Sequence, residues 1–293
     1  MISDKTWLFS AIASALLLVA ISLVLLWCWV LRHETAIEQY WHRLLHGPRV
    51  AQWRIQYAQQ IAFMHARLSP DRYLGLQLTI GALFLIGASW LFGGIAEDVV
   101  TGDPLTIVDV LIAEWFHNHA TPWLTVAMTF FTNLHGTVPI TIAVIVTGAY
   151  LIWTRRYAWL NGLVLTVPFG MLLNVVMKYA FHRARPVFDD PLLVQSSYSF
   201  PSGHVAGATL FYGFLAVMLV THVTAWRARF AIVLTALMMI ALVGLTRLYL
   251  GVHYFSDVLA GFAEGVAWLA LVLISVDTWQ RRDRGAVIDP VNR

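Results

Sequence analysis

The stretch YSFPSGHVAGATLFYG, Tyr198 to Gly213, sets a Pro-Ser-Gly-His group directly ahead of a long apolar run. The surrounding chain decides what that run is. Of 293 residues, 59% are hydrophobic and only 12% charged, and the mean hydropathy is +0.70, far above that of a soluble globular domain. Spanning a bilayer takes roughly 20 mostly apolar residues as helix. Seven stretches qualify: 7 to 31, 73 to 96, 138 to 153, 157 to 180, 203 to 222, 229 to 249 and 256 to 276. The third is short and is read as beginning earlier, near Trp123. Alternating ten-residue strands are missing, so the pattern predicts an all-α integral membrane protein rather than a closed barrel.

The first stretch is long, has little charge before it and lacks a small-residue cleavage pattern before Arg32, so it reads as a helix rather than a signal peptide. The single cysteine, Cys28, lies inside it and rules out an internal disulfide. In a seven-helix arrangement, segments 32 to 72, 154 to 156, 223 to 229 and 277 to 293 share one side and carry most of the arginines, from Arg32, Arg43 and Arg49 to Arg281, Arg282 and Arg284. That side is expected to be cytoplasmic. The opposite side carries few cations, and its long 97 to 137 segment has Glu97, Asp98, Asp103, Asp109 and Glu114 but no Lys or Arg. The simplest partition is an N-terminal transmembrane helix over 1–31, an amphipathic cytoplasmic segment over 32–72, a membrane core over 73–276 and a cytoplasmic tail over 277–293. The net charge of +3 follows the topology pattern, so no nucleic-acid partner is expected. The bilayer is the expected partner, and protein partners are not specified.

Three polar clusters fall at the same, outer end of their helices: KYAFHRARP (178–186), PSGH (201–204) and TRLYLGVHYFSD (246–257). Lys178 and Arg185 are seven residues apart, so in a continuing helix both point the same way and can grip one anion. His253 and Asp257 are four apart, the spacing at which side chains meet on one helix face. A carboxylate there fixes the imidazole tautomer and supports its cation, which favours a histidine as nucleophile or base. Ser202 and Gly203 precede His204 at a helix start, where free N–H groups favour an anion. The matching ligand is a phosphate group, and two histidines suit phosphoryl transfer, one attacking phosphorus while the other protonates the departing oxygen.

In these residues the chain resembles the type 2 phosphatidic acid phosphatase (PAP2) family, the membrane relatives of vanadium haloperoxidases. The family's signature is Lys, six residues, Arg-Pro; then Pro-Ser-Gly-His; then Ser-Arg, five residues, His, three residues, Asp. Here it reads Lys178 to Arg185-Pro186, Pro201 to His204, and Thr246-Arg247 through His253 to Asp257. The one departure is Thr246 for serine. The resemblance implies a six-helix core, here 73–276, to which the N-terminal helix is an addition, and hydrolysis of a lipid phosphate ester or anhydride without metal or other cofactor. It implies that His253 forms a phosphoenzyme with the help of Asp257, that His204 is the general acid, and that Lys178, Arg185, Ser202, Gly203, Arg247 and Thr246 bind phosphoryl oxygens. Polyprenyl diphosphate, phosphatidate and phosphatidylglycerol phosphate all fit as substrates, at a site facing the periplasm or cell exterior from the inner membrane. The rival readings are a lipid phosphotransferase using the same phosphohistidine and, from another class, an anion transporter. Transporters place such sites near the bilayer midplane on broken helices, whereas these cations gather at helix ends.

Other polar residues carry weaker readings. Glu264 shares a helix face with Asp257 and is either a supporting residue of the site or a structural hydrogen-bond partner. Asn174 reads as an interhelical hydrogen-bond partner, and Gly261 and Gly265 as close-packing positions. His182 and Arg183 either reach a second phosphate or head group or are exposed loop residues. His117, His119 and His135 lack metal-ligand spacing.

Overall fold

A computed structural model describes residues 75–288 and a few isolated residues between 32 and 58. The expected helix over 1–31, nearly all of the 32–72 segment and the last five residues of the tail lie outside the described residues. Among the described residues every regular element is a helix and there is no strand. The helices are α1 (Gly75–Thr101), α2 (Pro104–Asn118), α3 (Pro122–Leu134), α4 (Thr137–Trp153), α5 (Tyr157–Phe181), α6 (Gly203–Val220), α7 (Trp226–Tyr249) and α8 (Phe255–Ile288).

The local chemistry explains the boundaries. Pro104 and Pro122 open α2 and α3, where a missing N–H costs nothing because the first turn has no acceptor for it. Gly251, at φ +66°, turns the chain after α7 in a conformation that side chains other than glycine's resist. The 97–137 segment, read from sequence only as a long outer stretch, contains the whole of α2 and α3. The span expected over 138–153 with an earlier start is a bent pair, α3 and α4, meeting at 40° across His135 and Gly136. The last helix continues past 276 to Ile288.

Among the described residues, five helices are long and apolar enough to cross a membrane, and the bent pair makes six if it forms one span; the protein is a multi-pass membrane protein. α6 is the hub, packed by α5, α7 and α8, and its side chains are buried continuously from Val205 to Phe211. α1 lies along α8 and turns Leu83, Ile86 and Trp90 outward, surface suited to lipid rather than water. Small residues set the spacing: a Cβ on Gly265 would stand 2.7 Å from Thr209 Cβ, and one on Gly261 2.5 Å from Ser202 O. Both glycines therefore serve close backbone approach. This packing brings the C-terminal ends of α5 and α7 and the N-terminal ends of α6 and α8 to one end of the bundle, where α2 joins them.

Candidate active site

His253 sits in the short connection between α7 and α8 and is 2% exposed. Its Nδ1 lies 3.3 Å from Asp257 Oδ2, one helical turn on. Against an ionised carboxylate Nδ1 carries the proton, which leaves the lone pair on Nε2. Burial pushes the His253 pKa down to about 3 against the opposing pull of Asp257, so the ring is neutral at physiological pH. A neutral ring with its lone pair on Nε2 is the form required of a nucleophile. Arg185 Nη1 stands 3.3 Å from that nitrogen.

Asp257 is held from several directions. Oδ2 accepts from Tyr254 N (2.8 Å) and from Ser199 Oγ, and Oδ1 accepts from Arg183 Nη1 (2.6 Å). Its carbonyl accepts from Ser202 N at 3.0 Å, which ties the start of α8 to the turn that opens α6. Arg183 also donates to Asp109 Oδ2 (2.8 Å) and lies over the Tyr254 ring, 4.4 Å from its centroid. Its side chain is 13% exposed, so it is neither a loop cation nor a free head-group ligand. Burial works to lower its pKa, but the charge of Asp257 and the bond to Asp109 outweigh that and raise it. Removing one member of so buried an ion pair leaves an uncompensated charge, at a cost of about 3–5 kcal/mol.

The cations divide into two kinds. Lys178 Nζ donates to Tyr198 O (2.7 Å) and Ser199 O (3.3 Å), and Arg185 donates to Ser197 O (2.6 Å), Val252 O (2.5 Å), Ser197 Oγ (2.9 Å) and Tyr198 O (3.3 Å). Both pin the 197–199 segment beside the site. Arg247 is 1% exposed and gives Nη1 to Thr132 Oγ1 of α3 (2.8 Å), while its buried Nε and Nη2 find no partner among the described residues. Ser202 Oγ, also buried, has none either. Buried donors of this strength are nearly always satisfied. Arg247 lies close enough to His253, His204 and Arg185 to interact with them electrostatically.

His204 lies in the first turn of α6, whose leading N–H groups have no intrahelical acceptor. Gly203 has a steric reason beyond anion approach: a Cβ there would meet Asn174 Oδ1 at 3.0 Å and Lys178 Cε at 3.6 Å. Thr246 precedes Arg247 and is fully buried, but its hydroxyl donates to Val243 O (2.7 Å) in its own helix, so its proton is not offered to a ligand. Asn174 Nδ2 donates to Glu264 Oε2 (2.8 Å), joining α5 to α8, and Glu264 Oε1 has no partner among the described residues. His117 stacks on Phe188 with centroids 4.1 Å apart, His119 stacks on Trp115, and His135 bridges Phe131 O and Tyr212 Oη at the α3–α4 bend.

Sequence reasoning missed Asp109, Ser199, Ser256 and Thr132. Asp109 carried one signal, a carboxylate amid the apolar residues of 105–113; the others are common small polar residues whose positions only the packing reveals.

Comparison with known proteins follows the same residues. A family model described as the PAP2 superfamily matches residues 158–281. The chain is 38% identical over 154 residues to phosphatidylglycerophosphatase B of Bacillus subtilis (strain 168), covering 52% of this chain and 74% of the relative. It is 36% identical over 132 residues to lipid A 1-phosphatase of Rhizobium johnstonii, covering 42% and 48%. To undecaprenyl-diphosphatase of Sulfolobus acidocaldarius it is 27% identical over 138 residues, covering 45% and 62%. Among solved structures it is similar to a transmembrane PAP2 type phosphatidylglycerolphosphate phosphatase from Bacillus subtilis, with a TM-score of 0.61, 30% identity and coverage of 67% of this chain and 97% of that one.

Proposed function

Because the chain belongs to the PAP2 superfamily, we propose that it hydrolyses the phosphate monoester or diphosphate of a membrane lipid through a phosphohistidine at His253. The observation that carries this reading is the pair of buried Arg247 nitrogens with no partner among the described residues, on a cation whose charge acts on a neutral, carboxylate-oriented histidine. Arg247, Ser202 and the leading N–H groups of α6 would take the phosphoryl oxygens, with Lys178 supplying a remaining ammonium proton. Arg185 Nη1 now reaches His253 Nε2 and would pass to a phosphoryl oxygen as phosphorus approaches that nitrogen.

In the first step the Nε2 lone pair forms the N–P bond, the P–O bond to the lipid breaks, and His204 gives its proton to the leaving oxygen. Asp257 balances the positive charge that the phosphorylated ring acquires. In the second, water attacks phosphorus, His204 takes the water's proton, and the N–P bond breaks to release phosphate and restore His253. Every role is filled by a side chain of this protein, so the reaction is expected to need no metal. The gathering of arginines at the opposite loops supports a site that faces the periplasm or cell exterior. Phosphatidylglycerol phosphate is the first substrate to try, since both the 38%-identical relative and the similar solved structure are named for it.

The test is phosphate release by purified protein from phosphatidylglycerol phosphate, phosphatidate and undecaprenyl diphosphate, with and without excess EDTA. Turnover of at least one lipid, unchanged by EDTA, is expected. No release from any of them overturns the proposal, and a strict metal requirement overturns its chemistry.

A further inference from the structure

We propose that Asp109 of α2 is a positioning residue for the reaction at His253, acting by neutralising Arg183 so that Asp257 keeps its charge for the histidine. The inference rests on the phosphohistidine reading above. Asp109 lies outside the residues matched by the family model, on a helix that contributes none of the signature motifs.

Asp109 is completely buried. Its Oδ1 accepts from Ser256 N at 2.8 Å, and its Oδ2 accepts from Ser256 Oγ and from Arg183 Nη2, the latter at 2.8 Å. A carboxylate from another helix thus satisfies one of the orphan N–H groups of the first turn of α8, one residue before Asp257. Arg183 is a fork between two carboxylates, with Nη2 on Asp109 and Nη1 on Asp257 Oδ1. Nη1 also donates to Ser256 Oγ (2.6 Å), which closes the network.

The charge balance gives the arrangement its purpose. Two carboxylates and one guanidinium leave one net negative charge, and the geometry directs it through Asp257 Oδ2 toward His253. If Asp109 lost its charge, Arg183 would be compensated by Asp257 alone. The guanidinium at 2.6 Å would then cancel the field that favours a positively charged phosphohistidine, because electrostatic interactions are strong in a buried site. The phosphate-gripping side chains, Lys178, Arg185 and Arg247, make no hydrogen bond to this network.

Asp109→Asn keeps the side chain's size and an acceptor for Ser256 N while removing the charge. With dioleoyl phosphatidate as probe, kcat should fall roughly 10- to 100-fold, the usual effect of disturbing the partner of an orienting ligand. KM should stay within about threefold. The double variant Asp109→Asn/Arg183→Gln, which removes both charges, should recover about tenfold over the single one. Asp109→Asn added to Asp257→Ala should cost less than about threefold more, since its route of action is already gone.

Unchanged kcat in Asp109→Asn, absence of recovery in the charge-balanced double variant, or full multiplication of losses on Asp257→Ala would each overturn the inference. Should Asp109→Asn fail to fold, the charge-balanced variant decides, and complete inactivity in its folded form refutes the charge argument. Wild-type protein inactive on every lipid phosphate refutes the functional reading and the inference together; an active wild type with any of the outcomes above refutes the inference alone.

Discussion

Substituting Gly261 by alanine puts one methyl group against the turn that opens α6. The new Cβ would stand 2.5 Å from Ser202 O and 3.3 Å from Ser202 C and N. Side-chain carbons essentially never approach other atoms below 3.0 Å, so α8 and the 201–204 turn must part by at least 0.5 Å. The obstacle is backbone, with no flexible side chain to swing away. Overpacking of this kind costs about 1–3 kcal/mol. The larger effect should be on chemistry, because Ser202 N is tied to Asp257 O and parting the two separates the anion-binding turn from His253. A misplacement near 1 Å costs about 10²-fold in rate, so kcat should fall about 10- to 100-fold and KM should rise. The comparison variant is Gly170→Ala, two turns before Lys178, where the Cβ would press on Leu210 Cδ1 (2.6 Å) and Trp268 Cδ1 (2.8 Å) away from the site. It should lower the Tm measurably while leaving kcat and KM close to wild type. Steady-state kinetics on a lipid phosphate and thermal unfolding, both in the same detergent, decide the matter. Full activity in Gly261→Ala, or equal catalytic loss in Gly170→Ala, refutes the reasoning.

Orthovanadate should inhibit strongly, since its trigonal bipyramidal adduct on His253 Nε2 mimics the phosphoryl transition state; unaltered turnover at saturating vanadate counts against the site. Cysteines introduced at Asp189 or Gln195, both exposed, should react in a Cys28→Ser background with an impermeant thiol reagent applied outside, and labelling only from the cytoplasm overturns the orientation. His204→Ala should lose about 10²- to 10⁴-fold on a lipid alkyl phosphate and recover much of that on a nitrophenyl phosphate, whose leaving group needs no proton. Equal loss on both substrates in single-turnover phosphorylation removes His204 from the role of acid.

The sequence made the helical architecture legible because membrane spans announce themselves by length and apolarity, and the expected limits of α5 and α7 fall within a few residues of those observed. Motif spacing placed His253 one turn from Asp257 and put Lys178, Arg185, His204 and Arg247 at the same end of the bundle. The bend at His135 and Gly136 escaped because two short helices joined at 40° read, by hydropathy, as one poor span. The Asp109–Arg183–Asp257 network escaped for another reason. Arg183 and Asp109 lie 74 residues apart, and nothing in one sequence pairs a cation with a distant carboxylate. Arg183 beside Arg185 therefore reads from sequence either as a ligand for a second phosphate or head group or as an exposed loop residue, and only its burial between two carboxylates shows where its charge goes. Thr246 shows the converse limit, since a hydroxyl at a signature position can still donate into its own helix.

A covalent bond between His253 Nε2 and phosphorus is the central step of the proposed reaction, and rapid-quench labelling tests it most directly. Protein mixed with a lipid carrying a radiolabelled terminal phosphate and quenched in base within one turnover should hold an acid-labile, base-stable label. The label should map to the peptide containing His253, accumulate further in His204→Ala on an aryl phosphate, and disappear in His253→Ala. A wild-type protein that releases phosphate without ever carrying label, or a His253→Ala variant that still becomes labelled, contradicts the account.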